Sequence, residues 1–389
     1  MTEAAGLKAR KAFPAAPHLD YIESNRFEQP VLVISRAAVA RQYAALAQGL
    51  GRARIHYEVK ANPAPEILAE LTALGCCFDA ASKAEIEACL AAGAAPGQIS
   101  FGNTVKRPAD IAFAHSVGIT HFSADAGEEL EKIAAHAPGA EICLRLLVEA
   151  DTGADWPLSR KFGCTGEKAL QLMGRAKTLG LKLAGLSFHV GSQTRDPQMW
   201  ASTLDHAAEV WQAAEAAGHS LRLLNIGGGF PASYCDAGLP AEDYAARVMA
   251  QVEARFAHVP QIMAEPGRGL VAEAGAIAAE VLLVSRKHDR DLHRWVYLDT
   301  GMFSGLAETM DEAIRYRITT GRDLEVKGPC ILAGPSCDSA DVLYEKQPYQ
   351  LPLGLRAGDR VVIHSAGAYT STYASVGFNG FPPLDVIVI

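Results

Sequence analysis

A lysine, a glycine triplet and an acidic strand end carry the first chemistry that this 389-residue sequence offers. Lys60 follows Tyr57-Glu58-Val59 and precedes Ala61-Asn62-Pro63. At the inner end of a buried strand its ammonium loses hydration, which lowers the pKa and favours the nucleophilic amine that forms a Schiff base. Taken alone, such a lysine is more often just a solvated strand-end charge. Gly227-Gly228-Gly229-Phe230-Pro231 lets backbone N–H groups converge on phosphate oxygens, or simply makes a tight turn. It has neither the spacing of a dinucleotide-binding glycine loop nor the Lys-Ser/Thr ending of a triphosphate loop.

Glu265-Pro266-Gly267-Arg268 places a carboxylate where it could keep a pyridine nitrogen protonated, with a backbone donor and a guanidinium for phosphate. A buried Glu265–Arg268 ion pair closing a barrel is the structural alternative. His189-Val190-Gly191-Ser192-Gln193 supplies an imidazole able to stack on a planar ring and a hydroxyl for phosphate, or a histidine that only packs. Cys337-Asp338-Ser339-Ala340-Asp341 pairs a proton-donating thiol with a carboxylate able to bind an ammonium group; an ordinary loop reads the same way. Tyr369 offers a hydroxyl to phosphate, or fills a core position with its hydroxyl satisfied.

These residues need elements to position them. Strand candidates are Ile55–Val59, Cys76–Asp79, Ile99–Gly102, His121–Ser123, Ile142–Val148, Leu183–His189, Leu221–Ile226 and Gln261–Glu265. Helical patterns lie between them at Pro65–Leu74, Lys83–Ala92, Gly127–His136, Lys168–Leu179, Pro197–Ala217 and Ala241–Phe256. Such alternation predicts an α/β fold with a parallel sheet, and a (β/α)8 TIM-type barrel over residues 31–275 accommodates it better than a doubly wound sheet. Barrel active sites gather at the C-terminal strand ends. Lys60, Asp79, Asn103, Arg145, His189, Gly227–Gly229 and Glu265 all fall at or just after such ends. From residue 276 the apolar runs Ala279–Ser285, Arg294–Leu298, Leu324–Leu332 and Arg360–Ser365 predict a mostly β second domain over 276–389. Part of residues 1–30, and the Val31–Ile34 strand, are expected to join it.

Composition narrows the partners. Net charge is -8 with no basic stripe, so nucleic acid is not expected. No apolar run reaches membrane-spanning length, and the first 20 residues, with Lys8, Arg10 and Lys11, do not resemble a secretory signal. The eight cysteines show no metal-ligand spacing, and most lie in apolar segments as reduced thiols do. A cytoplasmic protein without a metal site is the expectation.

In this order the motifs resemble the fold-type-III pyridoxal-phosphate-dependent decarboxylases, and within them the ornithine/lysine decarboxylase branch. The matching stretches are Tyr57–Pro63, Phe78–Glu85, His189–Gln193, Gly227–Pro231, Glu265–Arg268, Gly334–Glu345, Gly367–Thr370 and Phe378–Phe381. The resemblance implies pyridoxal 5'-phosphate carried on Lys60, stacked by His189 and paired at its ring nitrogen with Glu265. Ser192, Gly228, Gly229, Gly267, Arg268 and Tyr369 would hold the phosphate, and Asp79, Glu85 and Arg145 would support the lysine. Cys337 would protonate the substrate carbon after carbon dioxide leaves, and Asp338 would take the distal ammonium of a small cationic amino acid. The family also implies a homodimer with shared sites, Cys337 and Asp338 reaching the partner's cavity, and a cross-dimer ion pair between Lys161 and Asp341.

Two departures bear on substrate length. Asp311-Glu312 stands where the animal ornithine decarboxylases carry Tyr-Asp, and the longer acid changes the room for a diamine. The chain also ends soon after Phe381. The implied reaction is decarboxylation of ornithine to putrescine, a step of polyamine formation. The alternatives are a dual lysine/ornithine decarboxylase, a diaminopimelate decarboxylase, and a non-catalytic pyridoxal-phosphate-binding regulatory homologue. A racemase on the same barrel would need a second base facing Lys60.

Overall fold

The computed structural model describes residues 16–148, 154–156 and 161–389, so the stretch with Lys8, Arg10 and Lys11 lies outside the described residues. Eight parallel strands close into a barrel: Arg54–Glu58, Cys77–Ala80, Ile99–Phe101, His121–Ala124, Glu141–Arg145, Lys182–Ser187, Leu223–Asn225 and Gln261–Ala264. Each falls on a segment expected from the sequence, shortened or shifted by one to three residues at its ends. The eighth strand pairs with the first through Met263↔Arg54 and Ala264↔Ile55, which closes the cylinder.

Register decides what meets at the mouth. Glu58 lies opposite Asp79, and Asp79 opposite Ser100, so three polar residues of adjacent strands stand side by side at the C-terminal end. Side chains of strand residues point alternately inward and outward, and the inward set reaches this mouth as a layer. Crossover helices cover the outside. Arg36–Leu50 begins at Ser35, whose Oγ accepts from Ala38 N, and packs against Ala241–Phe256. Neither Arg36–Leu50 nor Pro108–Ser116 was among the helices expected from the sequence.

The second domain is a nine-stranded sheet. Its long strand, Gly275–Ser285, pairs antiparallel with Val31–Ile34, Arg294–Leu298 and Arg360–His364. Val31–Ile34 also pairs in parallel with Asp385–Val388, so the N-terminal strand joins this sheet. One hydrophobic core runs from the barrel helices through Leu270 and Val271 into Ile277, Val281 and Ile363. Continuous packing of this kind holds the loop 366–370 against the barrel mouth. Among the described residues no helix is long and apolar enough to cross a membrane.

Candidate active site

Lys60 sits on a short 3-10 turn, Val59–Ala61, directly after the first barrel strand. The turn is pinned on two sides. Tyr57 OH donates to the Asn62 carbonyl at 2.9 Å, and Asn62 Nδ2 donates to Gly367 O at 2.9 Å. Tyr369 N donates to Ala61 O at 2.9 Å, so the second domain clamps the lysine turn from above. Around Lys60 opens a cavity of about 430 Å3, a size usual for small-molecule sites. A well of about 460 Å3 lies at the opposite mouth, lined by Arg54, His56, His121 and Arg222, without a comparable set of reactive groups.

Lys60 Nζ lies 2.5 Å from Glu58 Oε1. The lysine side chain lines the cavity and is 49% exposed, that of Glu58 only 6%. Burial opposes the ammonium, but Glu58, then Tyr369 and Asp79, more than reverse this and raise Lys60 above the ordinary lysine range. The sequence expectation of a lowered pKa is therefore corrected. Desolvation acts as anticipated, yet a carboxylate in contact outweighs it.

Glu58, Asp79 and Glu265 place carboxylate oxygens within 4.8 Å of one another. Like charges so close cannot all ionise freely. Burial, then Glu265 and Glu58, hold Asp79 well above the usual carboxylate range, although its Oδ1 accepts from Ser100 Oγ at 2.6 Å. Glu265 is pushed up to about 7 by burial and by Glu58, against the hydrogen bond it accepts from Asn225 Nδ2 at 2.5 Å. A carboxyl group poised near neutrality is suited to sharing a proton with a ring nitrogen. His189, after the sixth strand, is held well below its ordinary value by burial and by Arg145 and Lys60. Its Nδ1 accepts from Gly191 N at 2.9 Å, so the neutral ring carries its proton on Nε2.

The opposite wall is mostly glycine backbone. Gly229 has φ +109°, and a Cβ there would lie 2.7 Å from Gly191 O. At Gly267 a Cβ would come within 3.0 Å of Tyr369 OH, and at Gly228 within 2.9 Å of His189 Nε2. Backbone therefore lines the cavity where side chains do not fit. Tyr369 itself holds φ +54°, a strained value for a residue with a side chain, and its ring lies 5.0 Å from the Arg268 guanidinium carbon.

Arg268 is almost fully buried, and its partner corrects the alternative weighed from sequence. The guanidinium pairs with Glu308, not Glu265, through Nη2–Oε1 at 2.5 Å and Nη1–Oε2 at 2.7 Å. It also donates to Tyr234 OH at 2.6 Å and to Ser192 Oγ at 3.2 Å. A phosphate here would meet an arginine already neutralised and locked in plane by a bidentate carboxylate.

Arg145 and Lys161 flank Phe162 at the outer rim, 4.9 Å from its ring in each case. Asn103 lines the same rim and donates to Ala81 O. Glu85 does not line the cavity; it accepts from Ala81 N at 2.6 Å and supports the loop after the second strand. Lys60, Asp79, Arg145, His189, Ser192, Gly228, Gly229, Glu265, Gly267, Arg268 and Tyr369 thus converge on one cavity.

Cys337, Asp338, Asp311 and Glu312 are not among the residues lining it. Cys337 is exposed and donates to Asn379 Oδ1 from both its N–H and its thiol. Asp338 is exposed, with Oδ1 accepting from Ala340 N. Asp311 and Glu312 have φ of +54° and +62°; the first pairs with Lys346 at 3.2 Å, and the second accepts from Lys346 N and Gln347 N. Asp341 is buried and accepts from Met302 N, Ser336 N and Ser336 Oγ. Its carboxylate thus accepts three hydrogen bonds within its own chain.

Sequence reasoning passed over Glu58, Asn225 and Glu308. Glu58 is the last residue of the first strand and Lys60 lies on the 3-10 turn that follows, so only the nearness in sequence could have pointed to the pair. Asn225 ends the seventh strand, where other strand-end polar residues were recognised, and its Oδ1 accepts from Gly227 N. Glu308 carries no local signal, since it meets Arg268 only through the packing of the second domain on the barrel.

Residues 36–272 match the family described as pyridoxal-dependent decarboxylase, pyridoxal binding domain. The chain belongs to that family. It is 34% identical to the lysine/ornithine decarboxylase of Selenomonas ruminantium over 92% of this chain and 89% of that one. The structure superposes with a TM-score of 0.86 on lysine/ornithine decarboxylase from Vibrio vulnificus complexed with cadaverine, at 32% identity over 96% and 99% of the two chains. The arginine decarboxylase of Paramecium bursaria Chlorella virus bound to agmatine gives a TM-score of 0.85 at 28% identity over 95% and 99%. These relationships place the decarboxylase in the ornithine/lysine branch, with pyridoxal phosphate as cofactor. The residues present fit that group: an accessible lysine, a carboxyl poised near 7, a neutral imidazole and a wall of glycine backbone.

Proposed function

We propose that this decarboxylase acts on a small basic amino acid, L-ornithine before lysine, releasing carbon dioxide and a diamine. The observation that carries the reading is the convergence of Lys60, Glu265 and His189 with the Gly228–Gly229 and Gly267 backbone in one cavity. Bound there, pyridoxal phosphate supplies an aldehyde carbon for an amine and a ring that accepts the electrons left behind by departing carbon dioxide.

This chain's residues then divide the work. Lys60 Nζ anchors the group, and Glu265 keeps a proton at the ring nitrogen. His189 packs a neutral imidazole against the ring plane without adding charge. Ser192, Tyr369 and the backbone N–H groups of Gly229 and Gly267 hold the phosphate, with Arg268 kept planar by Glu308. Cys337 and Asp338 complete the cavity of a second copy in a homodimer, the thiol giving its proton to the substrate carbon and the carboxylate holding the distal ammonium. Support for this comes from their exposure on one chain and their absence from that chain's cavity wall.

The deciding experiment measures carbon dioxide release from ornithine, lysine, arginine and meso-diaminopimelate side by side. Ornithine should give the highest kcat/KM. A preference for diaminopimelate would overturn the substrate, and no release from any of the four by cofactor-loaded protein would overturn the activity.

A further inference from the structure

The third carboxylate of the cavity, Glu58, has no part in the reading above, although it makes the shortest contact with Lys60. Its side chain is almost fully buried, its Oε1 stands 2.5 Å from Nζ, and its backbone N–H is anchored to Pro266 O at 3.4 Å. Gly267 leaves room for it: a Cβ at that position would lie 3.1 Å from the Glu58 Cβ. We propose that Glu58 is a positioning residue that keeps the Lys60 nitrogen protonated, both as the free ammonium and when that nitrogen is joined to the cofactor aldehyde carbon. This rests on the reading that Lys60 is the anchor.

The other groups facing Lys60 do not supply this charge as directly. Asp79 from the second strand is pushed toward its protonated form, and Glu265 after the eighth is shifted up to about 7. Glu85, on the helix after the second strand, is spent on Ala81 N. Tyr369 and Tyr373 of the second domain are phenols raised by burial, and His189 is held neutral. Among the described residues, Glu58 alone forms an ion pair with Nζ.

The consequence is chemical. Joining the amine to the aldehyde forms a C=N bond as the carbonyl oxygen leaves as water. A proton on that nitrogen withdraws electrons from the carbon, which readies it for attack by the incoming substrate amine. Without a partner carboxylate, the partly desolvated nitrogen would give up its proton more easily, because loss of hydration disfavours the charged form.

The test is a pH titration of the cofactor-bound protein, following the visible absorbance that separates the protonated from the unprotonated linkage, with no substrate present. Glu58→Gln keeps the shape and removes the charge; Glu58→Asp keeps the charge and shortens the reach. The midpoint should fall by about 1–3 pH units in Glu58→Gln, the size expected for loss of an opposite charge in contact. Glu58→Asp should lie between it and the parent. A midpoint that stays put or rises in Glu58→Gln overturns the proposal. Borohydride reduction and peptide mapping of each protein keep the two ideas apart: trapping on another lysine would refute the anchor, whereas trapping on Lys60 with an unmoved midpoint refutes only Glu58.

Discussion

If Lys60 and Cys337 serve one site from different chains, two inactive variants should rescue each other. Lys60 lines the cavity, while Cys337 lies exposed on the second domain, bonded to Asn379. Lys60→Ala and Cys337→Ala should each be nearly inactive in forming diamine, because every site of either pure dimer carries one defect. Mixed in equal amounts and allowed to exchange, about half of the dimers become hybrids by random reassortment. In a hybrid, the intact lysine faces the intact cysteine at one site, and both defects fall together at the other. One working site in two, in half of the dimers, restores about a quarter of parental activity. The assay is diamine formation per cofactor-competent protein, with differently tagged chains proving exchange. If both residues came from one chain, every hybrid site would retain a defect and mixing would recover nothing. A flat result with exchange demonstrated refutes the cross-chain site.

Further expectations follow from the buried charges. Glu308→Leu strands the buried Arg268 guanidinium, so urea unfolding should show a loss of about 3–5 kcal/mol, and a loss below about 1 kcal/mol would show that the pair does not hold the arginine. Glu265 is raised from 4.5 to about 7, so in cofactor-free protein the folded state keeps a proton that the unfolded chain has released, and stability is lost as pH rises through that window. Relative to the parent, Glu265→Gln should therefore gain stability between pH 5 and 8, by up to about 3 kcal/mol, and a difference independent of pH refutes the shift. Asp338→Ala should raise KM for ornithine far more than for norvaline, which lacks the distal ammonium; equal changes would remove that assignment.

Much of this molecule is written locally. Apolar strands alternating with Ala-rich helices, and polar residues at strand ends, specify a barrel because each strand must bury its side chains and only its C-terminal end opens to a site. Lys60, His189, the glycine triplet and Glu265 were legible for that reason: each declares itself within a few residues of its own strand. The helix Arg36–Leu50 was passed over although its alanines and the Ser35 cap favour a helix, and it packs against Ala241–Phe256. Pairings between distant segments were decided only by the tertiary structure. Arg268 and Glu308 come from different domains, and their contact depends on how the β sheet sits on the barrel. The protonation of Lys60 was missed although its partner stands only two residues away. Burial alone predicts a depressed pKa, and the sign reverses because the 3-10 turn and the clamp from Gly367 and Tyr369 hold the nitrogen against Glu58. Residue types declare which groups can do chemistry; the distances between them, which set the charge each carries, exist only in the folded chain.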